Sequence, residues 1–354
     1  GIVAAHVLGT SIGGMIAQVL AMIRREDHER IARQAGLDDS SLVAAVRGAH
    51  RGIYGRDPEP SRVNLFPPTV FGERGTLAPF GSGGQDEKRA GLGLEATAVD
   101  RGPGFDVQRC LRDGFSTGGT QGIGLGALSR QAQVFDVYTD ERGAVVLSRV
   151  FPRSLPVNDL RFGVSHHAQR HQLACGDTWH LALNGTGMSV LVVDGLGHGE
   201  EAARAAGAGA AMFAEQAFDA PEAVIADMHR NMQGTRGGAV AIAQFNGAQG
   251  SLKFAGIGNI GARLISPVGS RGMASHPGIV GVQFRKTHTF DYPGAAGQLL
   301  VMFSDGLQSR WDLQDYPGLL FQHPGVVAAV LQRDFCRGRD DVTIVVLHLE
   351  MPNE

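Results

Sequence analysis

The sequence predicts a mixed α/β protein in two parts, the second of them antiparallel sheets with helices packed outside. Three observations carry this. Residues 160–350 hold the strand-like runs "WHLALN", "MSVLVVD", "GAVAIAQF", "GSLKFAGIGN", "ARLIS", "QLLVMFSD" and "VTIVVLHL", most of them following one another through short Gly or Asn turns. Helix-like runs at Glu200–Gln216, Pro221–Met232 and Gly325–Phe335 are interleaved with them, and Pro221 suits a first helical turn, where its missing N–H is no loss. The stretch "RVFPRSLPVNDLRFG" (149–163) puts two prolines between apolar patterns. It makes 153–159 the linker, with 36–152 a first unit, 160–350 a second, and 1–35 an N-terminal segment without a clear assignment. Before the first unit's main strands, "GSGGQDEKRAG" (81–91) reads as a polar loop joining "TLAPF" to "LGLEATAVD".

Composition narrows the function. The 354 residues are enough for two ordinary domains, and 43% hydrophobic with 19% charged residues describes a folded globular protein. A formal net charge of -3 leaves no dominant basic field to collect phosphates, so nucleic acid is not an expected partner. No apolar run approaches the roughly 18 residues of a membrane span, so no membrane is expected either. The apolar start "GIVAAHVLGTSIGGMIAQVLAMI" is broken by glycines and lacks a basic leader, which argues against a signal peptide. It begins with Gly rather than Met, so residues before it are expected to be missing. Three widely spaced cysteines, Cys110, Cys175 and Cys336, argue against a disulfide framework or zinc site and for a reducing cytosol. The 51 glycines are about twice average usage. Many flank aspartates in short loops, which suggests backbone approaching phosphate or metal.

The most informative stretch is "VLVVDGLGHGEEAARAA" (190–206). An apolar β-branched run stops at Asp194, passes three glycines and a histidine, then turns Ala-rich and helical. Either Asp194–Gly195 is a turn, a common use of Asp-Gly, or the aspartate holds a metal. For one Asp-Gly the two readings weigh about the same. Comparable aspartates recur, however, in "ACGDTW" (Asp177), "LLVMFSDGL" (Asp305) and "RGRDDVTIVVL" (Asp340 and Asp341). Carboxylates gathered without a counter-ion repel and raise each other's pKa. Divalent cations remove that cost, and Mg²⁺ and Mn²⁺ favour carboxylates, backbone carbonyls and water. Gly195, with no Cβ to keep a cation away, would offer its carbonyl. A pair of such cations about 3.5–4 Å apart orients water for in-line attack on phosphorus.

Taken in order, "CGDTW", "VLVVDGLGHG", "FAGIGNIGARL", "HPGIVG", "LLVMFSDGL" and "GRDDVTIVVL" resemble the metal-dependent PPM protein phosphatases, in the bacterial SpoIIE branch and its small stress-response members. The resemblance spans 160–350. It implies an αββα sandwich with two Mn²⁺ or Mg²⁺ at one end between the sheets. It implies catalytic metal ligands at Asp177, Asp194, Asp305 and Asp340, a carbonyl ligand at Gly195, and Asp341 as a further ligand or a strand cap. Asn259 would fix a loop near the site, and His198 would shape the turn into the helix rather than act as general acid. His166, His167, His171 and His180 show no ligand spacing. The implied substrate is phosphoserine or phosphothreonine on an anti-sigma antagonist or similar switch protein in the cytoplasm.

In the first unit, "ATAVDRGPGF" (96–105) is again a strand ending on aspartate, followed by "TGGTQGIGLGALSRQA" (117–132), glycines running into a helix. Glycine N–H groups at a helix start can wrap a triphosphate, and a strand-end Asp can accept from an adenine amino group. A lone "GIGLG" is also what a plain flexible loop would show. The pair at this spacing resembles the nucleotide box and lid of GHKL ATPases in their anti-sigma-factor form. That implies ATP, with Mg²⁺, at Asp100, Gly102, Gly104, Gly122, Gly124 and Gly126, with closing strands over Phe135–Val150. One part departs from the pattern. The helix that should carry a Mg²⁺-holding asparagine reads "GRDPEPSRVNLFPPTVFGERG" (55–75), whose four prolines forbid a regular helix. Asn64, after Glu59, is the nearest candidate, one residue out of spacing. The unit therefore reads as a partial GHKL-like α/β sandwich, degenerate in its first half.

"AHVLGTSIGGMIAQVLA" (5–21) resembles the nucleophile elbow of α/β-hydrolases, with Ser11 as nucleophile. No hydrolase sheet remains to supply a His and an acid, so this reads as a remnant or a coincidence. The alternative to a phosphatase is a non-catalytic partner-switching module that binds a sigma-factor regulator; a complete aspartate set speaks against it.

Overall fold

The computed structural model describes residues 2–8, 63–65, 69–71, 76–79, 93–115, 124–150, 161–169, 172 and 174–350. The chain divides into two compact units, 1–70 with 89–160, and 71–88 with 161–354.

In the first unit, strand β1 (Ile2–Leu8) pairs in parallel with β2 (Gly93–Asp100). A short strand, Val63–Leu65, runs antiparallel to β1, with Asn64 opposite His6. Helix α1 (Gly124–Gln131) leads to the hairpin of β3 (Val134–Asp140) and β4 (Gly143–Val150), and β4 lies antiparallel to β2. Strands are expected over 135–150, and this hairpin covers those residues. Ala98, Leu125, Leu128 and Val146 form the core, with Phe105, Leu111, Phe135 and Val137 against it. Glu95 and Arg149 form a buried ion pair in the sheet, facing each other across β2 and β4 at 2.7 Å.

The second unit has the antiparallel sheets with helices outside that the alternating pattern predicts, in the mixed α/β arrangement that the resemblance implies. Its strands are β5 (Phe162–His167), β6 (Asp177–Asn184), β7 (Gly187–Gly195), β8 (Gly238–Asn246), β9 (Ser251–Ile257), β10 (Gly261–Ser266), β11 (Gly269–Gly272), β12 (Phe290–Tyr292), β13 (Leu299–Phe303) and β14 (Val342–His348). One antiparallel sheet has the order β12-β9-β8-β7-β6, with the short strand Thr76–Pro79 paired to β6. That strand thus belongs to the second unit, although its sequence neighbours read as part of the first. The other sheet runs β11-β10-β13-β14-β5.

Helices α2 (Glu200–Gln216) and α3 (Pro221–Asn231) cover the first sheet, and α4 (Pro324–Phe335) covers the second. All three fall where the sequence placed them, and α3 and α4 each start with proline in the first turn. Helix α2 buries Ala202, Ala205, Ala206, Gly209, Ala210 and Phe213. Small side chains let its axis approach β7 closely. A Cβ on Gly209 would stand 2.9 Å from Met228 Cε of α3. The core under these helices includes Leu191, Val193, Phe213, Ile225, Met228, Val240 and Ile242. Burial of each such side chain is worth about 1.5–3 kcal/mol, and that apolar face fixes the register of β6, β7 and β8. No described helix is long and apolar enough to cross a membrane, and all three cysteines are free.

Candidate metal centre

Register sets the first part of the site. The β6–β7 ladder runs from Asn184–Gly187 at the hairpin to Asp177–Asp194 at its far end, so these two aspartates are cross-strand partners. Like charges directly opposite are unfavourable in a sheet. Asp177 is 4% exposed. Its carboxyl is pushed well above the usual range, first by burial and then by the Asp194 charge. Asp194 is pushed up to about 7, by burial and then by Asp305 and Asp340.

The second sheet supplies the rest. Asp305 follows β13, and Asp340 and Asp341 precede β14, its antiparallel neighbour. Asp305 lies at the solvent-facing rim; partial burial and Asp340 raise it, while Arg337 and Asn259 oppose that rise. Asn259 donates Nδ2–H to Asp305 Oδ2 at 2.9 Å, so it acts on the candidate ligand itself and not only on its loop. Asp341 accepts from the backbone N–H of Gln169 at 2.6 Å and of Gly176 at 2.7 Å, one bond to each oxygen. Burial raises it above the usual carboxylate range, against the pull of those two bonds. It therefore fixes the segment that delivers Asp177. Asp340 in turn accepts from the Asp341 N–H at 3.0 Å.

Sequence reasoning did not find Ser304. Its hydroxyl donates to Asp177 Oδ2 at 2.6 Å and accepts from the Thr343 N–H at 2.9 Å. The signal was present in "FSDGL", a polar residue closing an otherwise apolar strand.

Glycines make the close approaches possible. A Cβ on Gly195 would stand 2.3 Å from the Ala202 carbonyl oxygen and 2.7 Å from that of Gly176. So Gly195 is demanded by the entry of α2 as well as by any carbonyl role. A Cβ on Gly306 would meet the Asp341 carbonyl at 1.9 Å. In the turn between β7 and α2, Gly197 and Gly199 have φ of 92° and 75°, which excludes most side chains. His198 stands exposed between them, within electrostatic reach of Asp341.

The five aspartates thus feel one another's charge from both sheets. Among the described residues, however, no three acidic, histidine or cysteine side chains close on one point as a ligand group. The donor set still fits Mg²⁺ or Mn²⁺. Such ions take oxygen ligands and keep several waters, so one or two carboxylates with a backbone carbonyl suffice for each. The raised Asp177 and Asp194 pKa values mark negative charge that the protein itself leaves unbalanced.

The nucleotide-site candidates lie in the first unit. Asp100 ends β2, and its Oδ1 accepts from the Gly102 N–H at 2.8 Å. Gly104 has φ of 73°, and a Cβ there would strike the Asp140 carbonyl at 2.3 Å. Gly124 and Gly126 lie in the first turn of α1, where Gly126 packs against the Leu111 carbonyl. Asn64 is in a strand, not a helix. Gly122, Glu59, Ser11 and His171 lie outside the described residues.

Residues 184–350 match the family described as stage II sporulation protein E, SpoIIE. No curated protein matches the chain. Among solved structures, a chain from work on the bacterial stressosome, "a modular system that has been adapted to control secondary messenger signaling", is 27% identical. The likeness covers 53% of this chain and 99% of that one, with a TM-score of 0.50. RsbX in complex with magnesium is 22% identical over 52% of this chain and 92% of its own, with a TM-score of 0.46. The serine/threonine phosphatase PstP/Ppp of Mycobacterium tuberculosis is 15% identical over 53% of this chain and 98% of its own, with a TM-score of 0.40. The family match and the sandwich mark the second unit as a protein serine/threonine phosphatase domain.

Proposed function

We propose that the second unit hydrolyses phosphoserine or phosphothreonine on a phosphorylated switch protein of the anti-sigma antagonist type. Two Mn²⁺ or Mg²⁺ would be held by Asp177, Asp194, Asp305, Asp340 and the Gly195 carbonyl. The observation that carries this is the meeting of strand-end carboxylates from two sheets, each raising its neighbours' pKa. When bound, the cations supply Lewis-acid charge for phosphoryl oxygens and lower the pKa of water. The chain's own contribution is positioning. Ser304 orients Asp177, Asn259 orients Asp305, and Asp341 holds the backbone N–H groups of Gln169 and Gly176. The chemistry of the acids favours a phosphate ester: their negative charge accepts an anionic substrate only once cations are present. The switch-protein substrate is supported by the likeness to a chain from the bacterial stressosome.

The test uses the full chain with and without Mn²⁺ on a phosphorylated antagonist protein. Hydrolysis should require the metal and vanish in Asp305→Asn with the fold intact by circular dichroism; metal-independent or undiminished hydrolysis rejects the reading. A non-catalytic switch module would bind its partner but show no metal uptake by calorimetry.

The first unit, in this reading, is an ATP-binding regulatory or kinase-like module. Its support is the motif spacing and the turn that folds Gly102 back onto Asp100. Equilibrium binding of a fluorescent ATP analogue, lost in Asp100→Ala, checks it.

A further inference from the structure

An open cleft of about 420 Å³ in the second unit is lined by Gln308, Ser309, Arg310, Arg337 and Arg339. Arg310 comes from the segment after β13; Arg337 and Arg339 come from the segment before β14. Those segments carry Asp305 and Asp340. Backbone bonds tie them together: Gln308 N–H to the Phe335 carbonyl and Arg337 N–H to the Gly306 carbonyl, both 2.9 Å. Gln169 Nε2–H donates to the Arg339 carbonyl at 2.7 Å, a third anchor. The backbone of the cleft is thus fixed, while the three guanidinium groups are exposed.

Among the described residues, none of the three arginines forms an ion pair with a carboxylate. Arg337 acts on Asp305 only at longer range. Three like charges around one cleft repel one another, and the longer-range pull of Arg337 on Asp305 offsets only part of that. An anion shared among them reverses the sign, and guanidinium forks match carboxylate and phosphoryl oxygens in bidentate fashion.

We propose that this cleft docks a second anionic group, a carboxylate or a phosphoryl, of the phosphoprotein substrate beside the phosphoryl group that is removed. The proposal rests on the phosphatase reading above. A protein ligand is favoured over nucleic acid for three reasons. The positive charge is confined to one cleft and not drawn out along a track. The lining holds no aromatic ring on which a base could stack. The neighbouring carboxylates and the net charge of -3 repel a long polyanion.

The experiment uses the full chain and the double variant Arg310→Ala/Arg339→Ala, leaving Arg337 beside Asp305 untouched. Three fluorescent phosphoserine peptides of equal length carry flanking Glu, flanking Gln or a second phosphoserine. Their affinities are read by anisotropy immediately after mixing, with and without Mn²⁺, and turnover is read with Mn²⁺, with p-nitrophenyl phosphate as a small substrate. The wild type should bind the Glu or the doubly phosphorylated peptide about tenfold more tightly than the Gln peptide. Whichever of the two gains more identifies the source of the anion. The double variant should lose that preference and show the loss in KM, while its kcat/KM for p-nitrophenyl phosphate stays within about twofold. Arg310→Lys/Arg339→Lys should restore part of the preference. An equal preference in wild type and double variant, or none in the wild type, overturns the proposal. Single-stranded DNA displacing the Glu peptide at equal or lower concentration also overturns it. Peptide preference without turnover of any phosphate ester upholds the cleft and rejects the phosphatase reading alone.

Discussion

Ser304 donates its hydroxyl to Asp177 at 2.6 Å, joining the end of β13 in one sheet to the start of β6 in the other. This one bond links two carboxylate-bearing strand ends. The same oxygen accepts the Thr343 N–H at 2.9 Å, so Ser304 holds Asp177 in place against the repulsion of Asp194. Partners of this kind are typically worth about 10–100-fold in metal affinity or activity. Ser304→Ala should lower Mn²⁺ affinity by that order, measured by calorimetry, with the unfolding transition retained. Unchanged affinity would show that Asp177 needs no such support.

Asp194 carries opposite consequences for function and stability. Asp194→Asn should cut Mn²⁺-dependent phosphopeptide hydrolysis by more than about 100-fold, beyond the effect of a supporting residue. It should also remove a carboxylate that the fold holds charged at pH 8 against a pKa raised to about 7. The metal-free variant should then melt above the metal-free wild type at pH 8, by about 2–4 °C if the relief is about 1 kcal/mol. A lower melting temperature would contradict the repulsion inferred here.

The same group sets a pH dependence. The folded pKa of Asp194, about 7, lies above its ordinary value of 3.8. The folded state therefore binds the proton more tightly, and this contribution to stability is full below about pH 4 and lost as pH rises through 7. Cations must displace that proton, so their binding strengthens over the same window. The increase in melting temperature on adding Mn²⁺ should be larger at pH 8 than at pH 6. Equal increases at both would count against the carboxylate centre.

His180 works in the other direction. It is 6% exposed, its Nε2 has no hydrogen-bond partner among the described residues, and its ring meets Phe213 edge-on at 5.5 Å. Burial lowers its pKa from 6.5 to about 4, so its contribution is present above pH 6.5 and lost as pH falls through 4. At pH 5 the unfolded chain is charged there and the folded chain is not, which costs about 2 kcal/mol. His180→Leu should recover most of that at pH 5 relative to its effect at pH 7.5, read from urea unfolding at the two pH values. The same difference at both would mean that His180 does not take up a proton on unfolding.

Gly195 tests the packing of the site. An alanine there would bring a methyl to 2.3 Å from the Ala202 carbonyl. Overpacking of this kind costs about 1–3 kcal/mol. Gly195→Ala should lower stability by that amount and reduce metal affinity, because α2 must retreat from the end of β7. Wild-type stability would show that the helix start yields freely.

The sequence by itself marked seven strands of the second unit (but not Phe162–His167, Gly269–Gly272 or Phe290–Tyr292), its three covering helices, and the five aspartates near the strand ends. Those are local facts: apolar alternation reports which face is buried, and a strand that stops on Asp-Gly reports its own end. Tertiary structure alone decided that Asp177 and Asp194 stand directly opposite, because register depends on a hairpin at the far end of both strands. It alone showed that Ser304 serves Asp177, 127 positions away in the chain. It alone gave both Asp341 oxygens to backbone N–H groups, took Thr76–Pro79 into the second unit, and gathered Arg310, Arg337 and Arg339 around one cleft. The physical reason is common to all of these. Periodicity states that a face must be covered, but the partner that covers it is chosen by packing between segments that share no local pattern.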